Sequence, residues 1–263
     1  MNLLFTSNLN YLRHIIEVVR SIESTTPGTF DVFIISDDIK VEDIIKYQEY
    51  YKKSTFHVIT IDETSFKDAR TSKRYPLNIY YRIFAGYLIN VEVKRILYLD
   101  PDVVVIKDLT LLYNISLDDK IMAGASHLTP FLKFVNRIKN RTPKDHLYIN
   151  TGILLMDLDL MRKTIKKEDI YRAIDKYSLV LTLPDQDIIN ILYGDKLKLI
   201  EKEKYNYGDR DLNKYNLFHP FNKRGYKYID DVTVIIHYYG RNKPWKKNYK
   251  GILNKYYKEI VQL

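Results

Sequence analysis

Short apolar runs alternate with amphipathic segments in the first third of the chain, and this alternation constrains the fold more than any other feature. The segments predicted to be strands are Leu3–Phe5, Val32–Ile35 and Phe56–Ile61. Residues 12–22 carry apolar side chains on one helical face, and residues 36–38 offer a cap for a second helix that runs through Tyr47. This order of elements predicts right-handed crossovers and a parallel sheet flanked by helices.

The rest of the chain continues this pattern less regularly. Residues 79–88 are predicted to be helical. Further strands are predicted at Arg95–Leu99, Val103–Ile106, Ile149–Met156 and Val232–Ile236. Residues 201–231 mix polar, charged, aromatic and glycine residues without a clean period, so we expect long functional loops there. The sequence therefore predicts one α/β domain over residues 1–263, with an irregular C-terminal subregion.

Several classes of protein are excluded by what the sequence lacks. It has no Gly-x-Gly-x-x-Gly or Gly-x-x-x-x-Gly-Lys-Ser/Thr segment, so neither a dinucleotide-binding motif nor a P-loop is predicted. The absence of cysteine excludes disulfides, thiolate metal sites and a cysteine nucleophile. No apolar stretch approaches the ~18 residues of a membrane span, and the N-terminus lacks the basic segment of a secretory signal. We therefore expect a cytoplasmic protein.

The chain is basic, with 42 Lys and Arg residues against 33 Asp and Glu residues and a net charge of +9. Lysines interleave with aromatic residues in the C-terminal tail, defined as residues 243–263. One interpretation is a solvated basic surface. The other is a tail that contacts an anionic membrane surface or a phosphorylated ligand. Nucleic acid is not the expected partner, because no helix-turn-helix, zinc-finger or RNP pattern accompanies the basic residues.

The segment Asp100-Pro101-Asp102 follows a predicted strand directly. Side chains two residues apart lie on the same side of an extended chain, and Pro101 lacks the N–H that would continue a strand ladder. Two carboxylates held this close repel each other unless a cation lies between them. A simple turn after a strand is the alternative interpretation.

A second segment, residues 237–245, places a histidine at the end of an apolar strand. A histidine in that position is often only a hydrogen-bonded core residue. However, Gly240 permits close approach of a ligand to the backbone, and Lys243 can reach a phosphate. Two aspartate oxygens and one imidazole nitrogen suit Mn²⁺ better than Mg²⁺ or Ca²⁺. A divalent ion beside a lysine is what a diphosphate leaving group requires.

Two further segments carry polar residues next to predicted elements. Tyr148–Thr151 precedes a strand, and Leu183–Asn190 opens a helix in which Pro184 suits the entry. Asp185 and Asp187 lie in the first turn of that helix, where acidic residues are favoured by the helix dipole. Simple capping is therefore the alternative to a functional role for both.

In this order and spacing, the four segments resemble glycosyltransferase family 8, which includes bacterial lipopolysaccharide galactosyl- and glucosyltransferases and relatives of glycogenin. The resemblance extends from Leu3 to about Trp245. It implies a GT-A fold, which combines a Rossmann-like nucleotide-sugar sheet with an acceptor subregion. It also implies retaining transfer of glucose or galactose from a UDP-hexose to a saccharide or glycan acceptor, as in lipopolysaccharide-type glycan synthesis.

The resemblance also assigns roles to individual residues. Asp100 and Asp102 would be the DxD pair, with His237 as the third ligand of Mn²⁺ or, alternatively, Mg²⁺. The residues implied to surround the nucleotide sugar are Thr6, Asn8, Asn10, Tyr11, Arg82, Asp100, Pro101, Asp102, Asn150, Asp185, Gln186, His237, Gly240 and Lys243. The catalytic candidates are Gln186, Asp185 and Asp187, with Gln186 near the face of the anomeric carbon opposite the leaving group.

The sequence departs from the family pattern at two positions. Asn8 stands where close relatives have an aspartate that accepts the uracil N–H, and its amide oxygen can still accept without charge assistance. His127 stands where the galactosyltransferase pattern has an acidic acceptor contact, which implies a different acceptor sugar.

Two other functions fit parts of the sequence. Leu99–Val104 fits the nucleophile motif of haloacid-dehalogenase-like phosphohydrolases, but Gly194-Asp195 is followed at the required spacing by Leu199 rather than aspartate. A UDP-sugar-binding protein with a decayed catalytic site is the other alternative. The sequence keeps every residue that is a candidate to bind the metal or the donor sugar, which argues against a decayed site.

Overall fold

The computed structural model describes residues 1–61, 80–128, 137–138, 142–178 and 181–262. The strands are β1 (Asn2–Thr6), β2 (Phe30–Ser36), β3 (Ser54–Thr60), β4 (Arg95–Leu99), β5 (Val103–Val105), β6 (Met122–Gly124), β7 (Ile153–Asp157), β8 (Leu197–Leu199) and β9 (Ile235–His237). The helices are α1 (Leu12–Thr25), α2 (Val41–Gln48), α3 (Ala85–Leu88), α4 (Thr110–Tyr113), α5 (Leu158–Thr164), α6 (Lys167–Tyr177), α7 (Pro184–Tyr193), α8 (Lys202–Tyr205), α9 (Asp209–Phe218), α10 (Tyr226–Val232) and α11 (Asn254–Gln262).

Seven of these strands form one sheet in the order β3-β2-β1-β4-β7-β6-β8. The pairs β3–β2, β2–β1 and β1–β4 are parallel, and β8 is parallel to β6. Strand β7 runs antiparallel to both of its neighbours, β4 and β6. One strand of the seven therefore opposes the other six, and the predicted mostly parallel sheet with flanking helices is confirmed.

Both faces of the sheet are buried, which explains why its strands are almost continuously apolar. In β1, Leu3 and Phe5 pack with Ile15 of α1 in one apolar cluster, whereas Leu4 belongs to a second cluster with Tyr98 on the other face. The apolar stripe predicted for residues 12–22 is buried as expected. Its members are Leu12, Ile15, Ile16, Val19 and Ile22.

The C-terminal part of the chain adds a two-stranded antiparallel ribbon, β5–β9, in which Val103 pairs with His237. A third apolar cluster covers this ribbon and includes Tyr256, Tyr257 and Ile260 of α11. The aromatic residues of the C-terminal tail are therefore packed into the protein. None of the helices in the described part of the chain has the length and apolarity needed to cross a bilayer.

Five predictions about local structure were wrong in detail. Residues 201–231 contain the short helices α8, α9 and α10 instead of long loops. Ser36 caps a turn by accepting from the N–H groups of Asp38 and Ile39, so α2 begins only at Val41.

The other three concern the bounds of elements. The strand predicted over Val232–Ile236 begins only at Ile235, because Val232 is the last residue of α10. Only residues 85–88 of the helix predicted over 79–88 are helical, residues 80–84 form turns, and residue 79 lies outside the described residues. The strand predicted to begin at Ile149 begins at Ile153, because the backbone N–H of Ile149 donates to the Asn190 side chain instead of a strand ladder.

Candidate active site

Several functional candidates lie at one end of the sheet, where the chain leaves or enters its strands. The parallel strands β1, β4, β6 and β8 terminate there. The antiparallel strand β7 begins there, since Leu99 pairs with Ile153 and the Asp100 N–H donates to the Gly152 carbonyl at 2.7 Å. Segments distant in sequence therefore meet at the carboxyl end of the sheet, where ligands bind in open α/β folds.

A cavity of about 310 Å³ opens between the ends of β1 and β4, and we call it the β1–β4 cavity. It is lined by Thr6, Ser7, Asn8, Tyr11, Arg82, Asp100, Pro101, Asp102 and Lys243. Eight of these nine residues are among those predicted from the sequence to surround a nucleotide sugar. Asn10 is exposed on the short helical turn of residues 9–11 and does not line the cavity.

Asp100, Asp102 and His237 form a compact set of ligand atoms, all within 4.8 Å of one another. The β5–β9 ribbon produces this arrangement, because Val103 pairs with His237 and the Tyr238 N–H donates to the Asp102 carbonyl at 2.9 Å. His237 is only 1% exposed and Asp102 only 7% exposed.

The residues present fit a metal ion. Nε2 of His237 is buried 3.2 Å from Oδ1 of Asp102 and 3.9 Å from Oδ2 of Asp100, yet it has no aligned hydrogen-bond partner among the described residues. Gly152 keeps this space open, since a Cβ there would lie 2.8 Å from Asp100 Oδ2 and 3.0 Å from His237 Nε2. Carboxylate and imidazole ligands around a shielded space are a suitable donor set for a divalent transition ion.

Charged neighbours tune the buried carboxylate of this set. Burial alone raises the pKa of Asp102, but its contacts with His237 and Lys243 lower that pKa to about 2. Lys243 forms an ion pair with Asp102 and also donates to the Tyr238 carbonyl at 3.2 Å. Asp102 is therefore a carboxylate at neutral pH.

Arg82 bridges the two sides of the site. Its Nη1 donates to Asp100 Oδ1 at 3.1 Å and to the Thr151 carbonyl at 2.9 Å, and its Nε lies 3.3 Å from Asp185 Oδ2. Burial alone would lower the pKa of the Arg82 guanidinium, but Tyr98 and the two carboxylates raise it above its usual value. Arg82 therefore links the metal-side aspartate to the first turn of α7.

A polar chain of side chains connects Gln186 to His237. Asn150 Nδ2 donates to Gln186 Oε1 at 3.1 Å, Asn206 Nδ2 donates to Asn150 Oδ1 at 3.0 Å, and His237 Nδ1 lies 2.9 Å from Asn206 Oδ1. The Gly152 N–H donates to Asn150 Oδ1 at 3.1 Å, which fixes the orientation of that amide. Each later link then has a defined direction, so His237 Nδ1 is a donor and Nε2 is left to bind a cation.

The three catalytic candidates lie in different environments. Gln186 is 7% exposed and belongs to the polar chain. Asp185 accepts from Thr151 Oγ1 at 2.9 Å and faces Arg82. Asp187 is 2% exposed, and its two oxygens accept from Tyr148 and from the backbone N–H groups of residues 182 and 183. The structure therefore gives Asp187 a capping role.

Gly240 and Lys243 lie in the loop after β9. Gly240 has a φ of 100°, in the left-handed region that favours glycine, and a Cβ there would meet the end of the Arg210 side chain. Lys243 lines the β1–β4 cavity, whereas Gly240 does not.

A second cavity of about 380 Å³ lies beside the polar chain, and we call it the His127 cavity. His127 Nε2 lies 3.1 Å from Asn206 Oδ1, and its Nδ1 lies 3.2 Å from Asp211 Oδ1. Burial raises the pKa of Asp211, but His127, Lys202 and Tyr239 together lower it below its usual value. The Asn206 side-chain oxygen thus accepts from both His127 and His237.

Sequence reasoning missed several residues of the site. Asn206 was missed because it lies in the segment that carried no recognisable period. Tyr98, which donates to Asp100 Oδ1 at 2.6 Å, was interpreted only as part of an apolar strand. Thr151 and Tyr148 were quoted in a motif, but nothing local indicated that they would contact Asp185 and Asp187 on α7.

The sequence pattern of glycosyltransferase family 8 matches residues 2–249. The chain belongs to glycosyltransferase family 8. It is 29% identical over 187 residues to a lipopolysaccharide 1,2-glucosyltransferase of Escherichia coli K12, covering 70% of this chain and 54% of that protein. The chain thus spans about half the length of this relative. It is also 28% identical over 260 residues to a putative glycosyltransferase of Haemophilus influenzae, covering 94% of this chain and 73% of that protein.

Solved structures show the same fold. The galactosyltransferase LgtC, in complex with donor and acceptor sugar analogues, has a TM-score of 0.80 at 20% identity and is covered to 95% by the whole of this chain. The glycosyltransferase GlyE of Streptococcus pneumoniae has a TM-score of 0.74 at 18% identity, with 60% of its chain covered. The fold is therefore of GT-A type.

Proposed function

We propose that the protein is a retaining, metal-dependent hexosyltransferase that moves glucose or galactose from a UDP-sugar to a saccharide or glycan acceptor. One observation carries the proposal: an Asp–Asp–His set, in which Asp102 and His237 are buried, adjoins a cavity that also contains a lysine and an amide oxygen with no partner among the described residues. Negative charge accumulates on a diphosphate as the glycosidic bond breaks, so this leaving group needs positive charge at its oxygens.

The base of the nucleotide would bind at Asn8. Its Oδ1 is buried, lines the β1–β4 cavity and has no hydrogen-bond partner among the described residues. A buried acceptor without a partner is costly, and the N–H of uracil is a donor that would satisfy it. Tyr11, which is 37% exposed in the same cavity, offers an aromatic face to the base, and Thr6 lies beside them.

Asp100, Asp102 and His237 would hold Mn²⁺, with Mg²⁺ as the alternative. When bound, the ion would supply positive charge to the diphosphate. Lys243 would add a second positive charge, while Pro101 and Gly240 shape the backbone on either side. Arg82 orients Asp100 through its 3.1 Å contact, and Asn206 orients the ring of His237.

We propose front-side attack for the retaining step. Double displacement needs a free carboxylate against the anomeric carbon, but both oxygens of Asp187 accept hydrogen bonds and Asp185 pairs with Arg82 and Thr151. Gln186, which Asn150 orients, is an amide and a poor nucleophile. A diphosphate oxygen would take the acceptor proton, and the Gln186 oxygen would stabilise positive charge at the sugar.

The acceptor would bind in the His127 cavity, which contacts the polar chain through Asn206. Because relatives include lipopolysaccharide 1,2-glucosyltransferases, we propose a role in the synthesis of lipopolysaccharide-type or other cell-surface glycans. We further propose that residues 1–263 form one catalytic domain that works in the cytoplasm. The exposed lysines of the C-terminal tail would contact the inner face of the membrane by charge alone, since its tyrosines are packed inward.

Release of UDP from UDP-glucose and UDP-galactose, with and without Mn²⁺, tests this proposal. Asp102→Asn should lower the metal-dependent rate by at least ~10²-fold, as loss of a preorganised charge does. Asp119→Asn is the matched control, because that aspartate side chain is 84% exposed and should leave the rate unchanged.

Three outcomes would contradict the proposal. Full activity in excess EDTA would exclude metal dependence. UDP binding without turnover across many acceptors would favour a decayed site. Hydrolysis of aryl phosphates with Mg²⁺, in the absence of a sugar nucleotide, would favour a phosphohydrolase.

A further inference from the structure

Large apolar side chains protrude at the end of α9 and from the segment that follows it, outside the C-terminal tail for which the sequence indicated a membrane contact. Leu217 is 75% exposed, Phe218 is 69% exposed and Phe221 is 103% exposed. We call residues 217–221 the 217–221 loop, and its first two residues are the last two of α9. The aromatic residues of the C-terminal tail behave in the opposite way, since Tyr256 and Tyr257 are 5% and 9% exposed.

The base of this loop is fixed. Asn216 Nδ2 donates to the Arg224 carbonyl at 2.9 Å, and the Arg224 N–H donates to Asn216 Oδ1 at 2.7 Å. The Arg224 guanidinium lies 3.7 Å and 4.0 Å from the ring centres of Tyr215 and Tyr228, respectively. These contacts fix the position of the loop, so its apolar side chains are held away from the core.

The stretch of chain that carries the loop is basic. Residues 212–229 contain Lys214, Lys223, Arg224 and Lys227 and no aspartate or glutamate. The three lysines are exposed. Exposed aromatic and aliphatic side chains flanked by lysines are typical of segments that enter the interface of an anionic bilayer.

The shape of the protrusion favours lipid over a protein partner. A phenylalanine whose side chain is completely exposed on a narrow loop can be covered on all sides only by a medium that surrounds it. A flat protein surface would cover one side and leave the others in water.

We propose that the 217–221 loop inserts into the interface of a membrane containing anionic lipid. Phe218 and His219 also line the His127 cavity, so insertion would bring that cavity to the lipid surface. This inference goes beyond the proposed transfer reaction and does not depend on it, because vesicle binding needs neither donor nor metal.

Single-cysteine labelling tests the insertion directly, because the chain contains no cysteine. Phe221→Cys, carrying an environment-sensitive fluorophore, should shift its emission to the blue with vesicles of phosphatidylcholine and phosphatidylglycerol. Tyr50→Cys is the matched control, since Tyr50 is 80% exposed elsewhere on the surface, and its label should not shift.

Cosedimentation of the full chain with the same vesicles supplies the second measurement. Phe221→Ser should weaken partitioning by about ten-fold or more, the effect of withdrawing one buried aromatic side chain, whereas Tyr50→Ser should not. Lys214→Gln combined with Lys223→Gln should weaken binding mainly at low salt, where surface charges are least screened.

Three results would overturn the inference. One is equal binding of wild type and Phe221→Ser. A second is a wild-type chain that does not bind anionic vesicles at low salt. The third is a concentration-dependent shift of the Phe221→Cys label without vesicles, which would identify a second copy of the chain as the occupant.

Discussion

At the residue scale, the site depends on side chains that orient others as much as on those that would touch substrate. Asn206 is 0% exposed and accepts from His237 Nδ1 while donating to Asn150 Oδ1. Its amide can satisfy both directions at once, which neither a carboxylate nor an aliphatic side chain can do. Asn206 thus connects His237, one of the three proposed metal ligands, to Gln186 through Asn150, and it fixes the orientation of the His237 ring.

Asn206→Leu should therefore weaken Mn²⁺ binding by about 10- to 100-fold, the usual effect of losing a group that orients a metal ligand. Titration of the UDP-release rate with Mn²⁺ measures this, and part of the lost rate should return at saturating metal. Asn248→Leu, at an exposed position, is the control. An unchanged Mn²⁺ requirement in Asn206→Leu would separate Asn206 from the metal set.

Asn8 gives a second prediction at this scale, because its buried oxygen has no partner in the described residues. Asn8→Leu should weaken UDP binding by roughly 1–3 kcal/mol, the cost of an unpaired uracil donor. Asn8→Asp should bind UDP at least as tightly, since a charged acceptor makes the stronger hydrogen bond. Calorimetric titration measures both, and unchanged affinity in Asn8→Leu would move the base elsewhere.

At the element scale, the junction of α1 and α11 holds the C-terminal tail against the sheet. Glu17 on α1 is 6% exposed and accepts from Tyr257 of α11 at 2.7 Å and from Arg13 at 3.0 Å. His14 Nδ1 lies 2.8 Å from Oε2 of the same carboxylate. Burial alone would raise the pKa of Glu17, but His14, Tyr257 and Arg13 lower it below its usual value.

This junction should make stability fall in acid. A carboxyl group whose pKa is lower in the folded state stabilises that state above its unfolded pKa. The contribution disappears as pH falls through the lowered folded pKa. Tyr257→Phe should therefore cost about 1.5–3 kcal/mol of unfolding free energy at neutral pH, and less once Glu17 is protonated.

Urea unfolding at several pH values tests this prediction. Tyr226→Phe is the matched control, because Tyr226 donates to the uncharged Ile252 carbonyl and its loss should not depend on pH. If the loss of unfolding free energy in Tyr257→Phe did not depend on pH, the charge of Glu17 would not be what stabilises the junction.

The elements also show what a sequence can predict. The strands β1, β2, β3 and β4 and the helix α1 were predictable because burial on both sheet faces leaves apolar runs and a one-sided stripe. Residues 201–231 were not, since α8, α9 and α10 are short and bury few residues. The start of α2 was predicted too early at Ser36, because a serine side chain accepts the same backbone hydrogen bonds in a turn as at a helix start.

At the scale of the whole molecule, the candidate site arises where the sheet edge meets the C-terminal subregion. The motifs near residues 100 and 237 were recognisable in the sequence because each has polar or charged residues directly after an apolar strand. The contact that Asn206 makes with His237 was not predictable from the sequence. It depends on strand pairing between distant segments, because β7 pairs antiparallel with β4 and β8 pairs parallel with β6. The two cavities are thereby linked by one polar chain.

The account as a whole claims retaining transfer from a UDP-hexose, and the anomer of the first-formed product tests that claim most directly. Proton NMR of donor hydrolysis, with Mn²⁺, water as acceptor and enough enzyme for hydrolysis to outpace mutarotation, reads the first-formed anomer. We predict that UDP-glucose or UDP-galactose gives the α-anomer first. A β-anomer formed first would contradict the account.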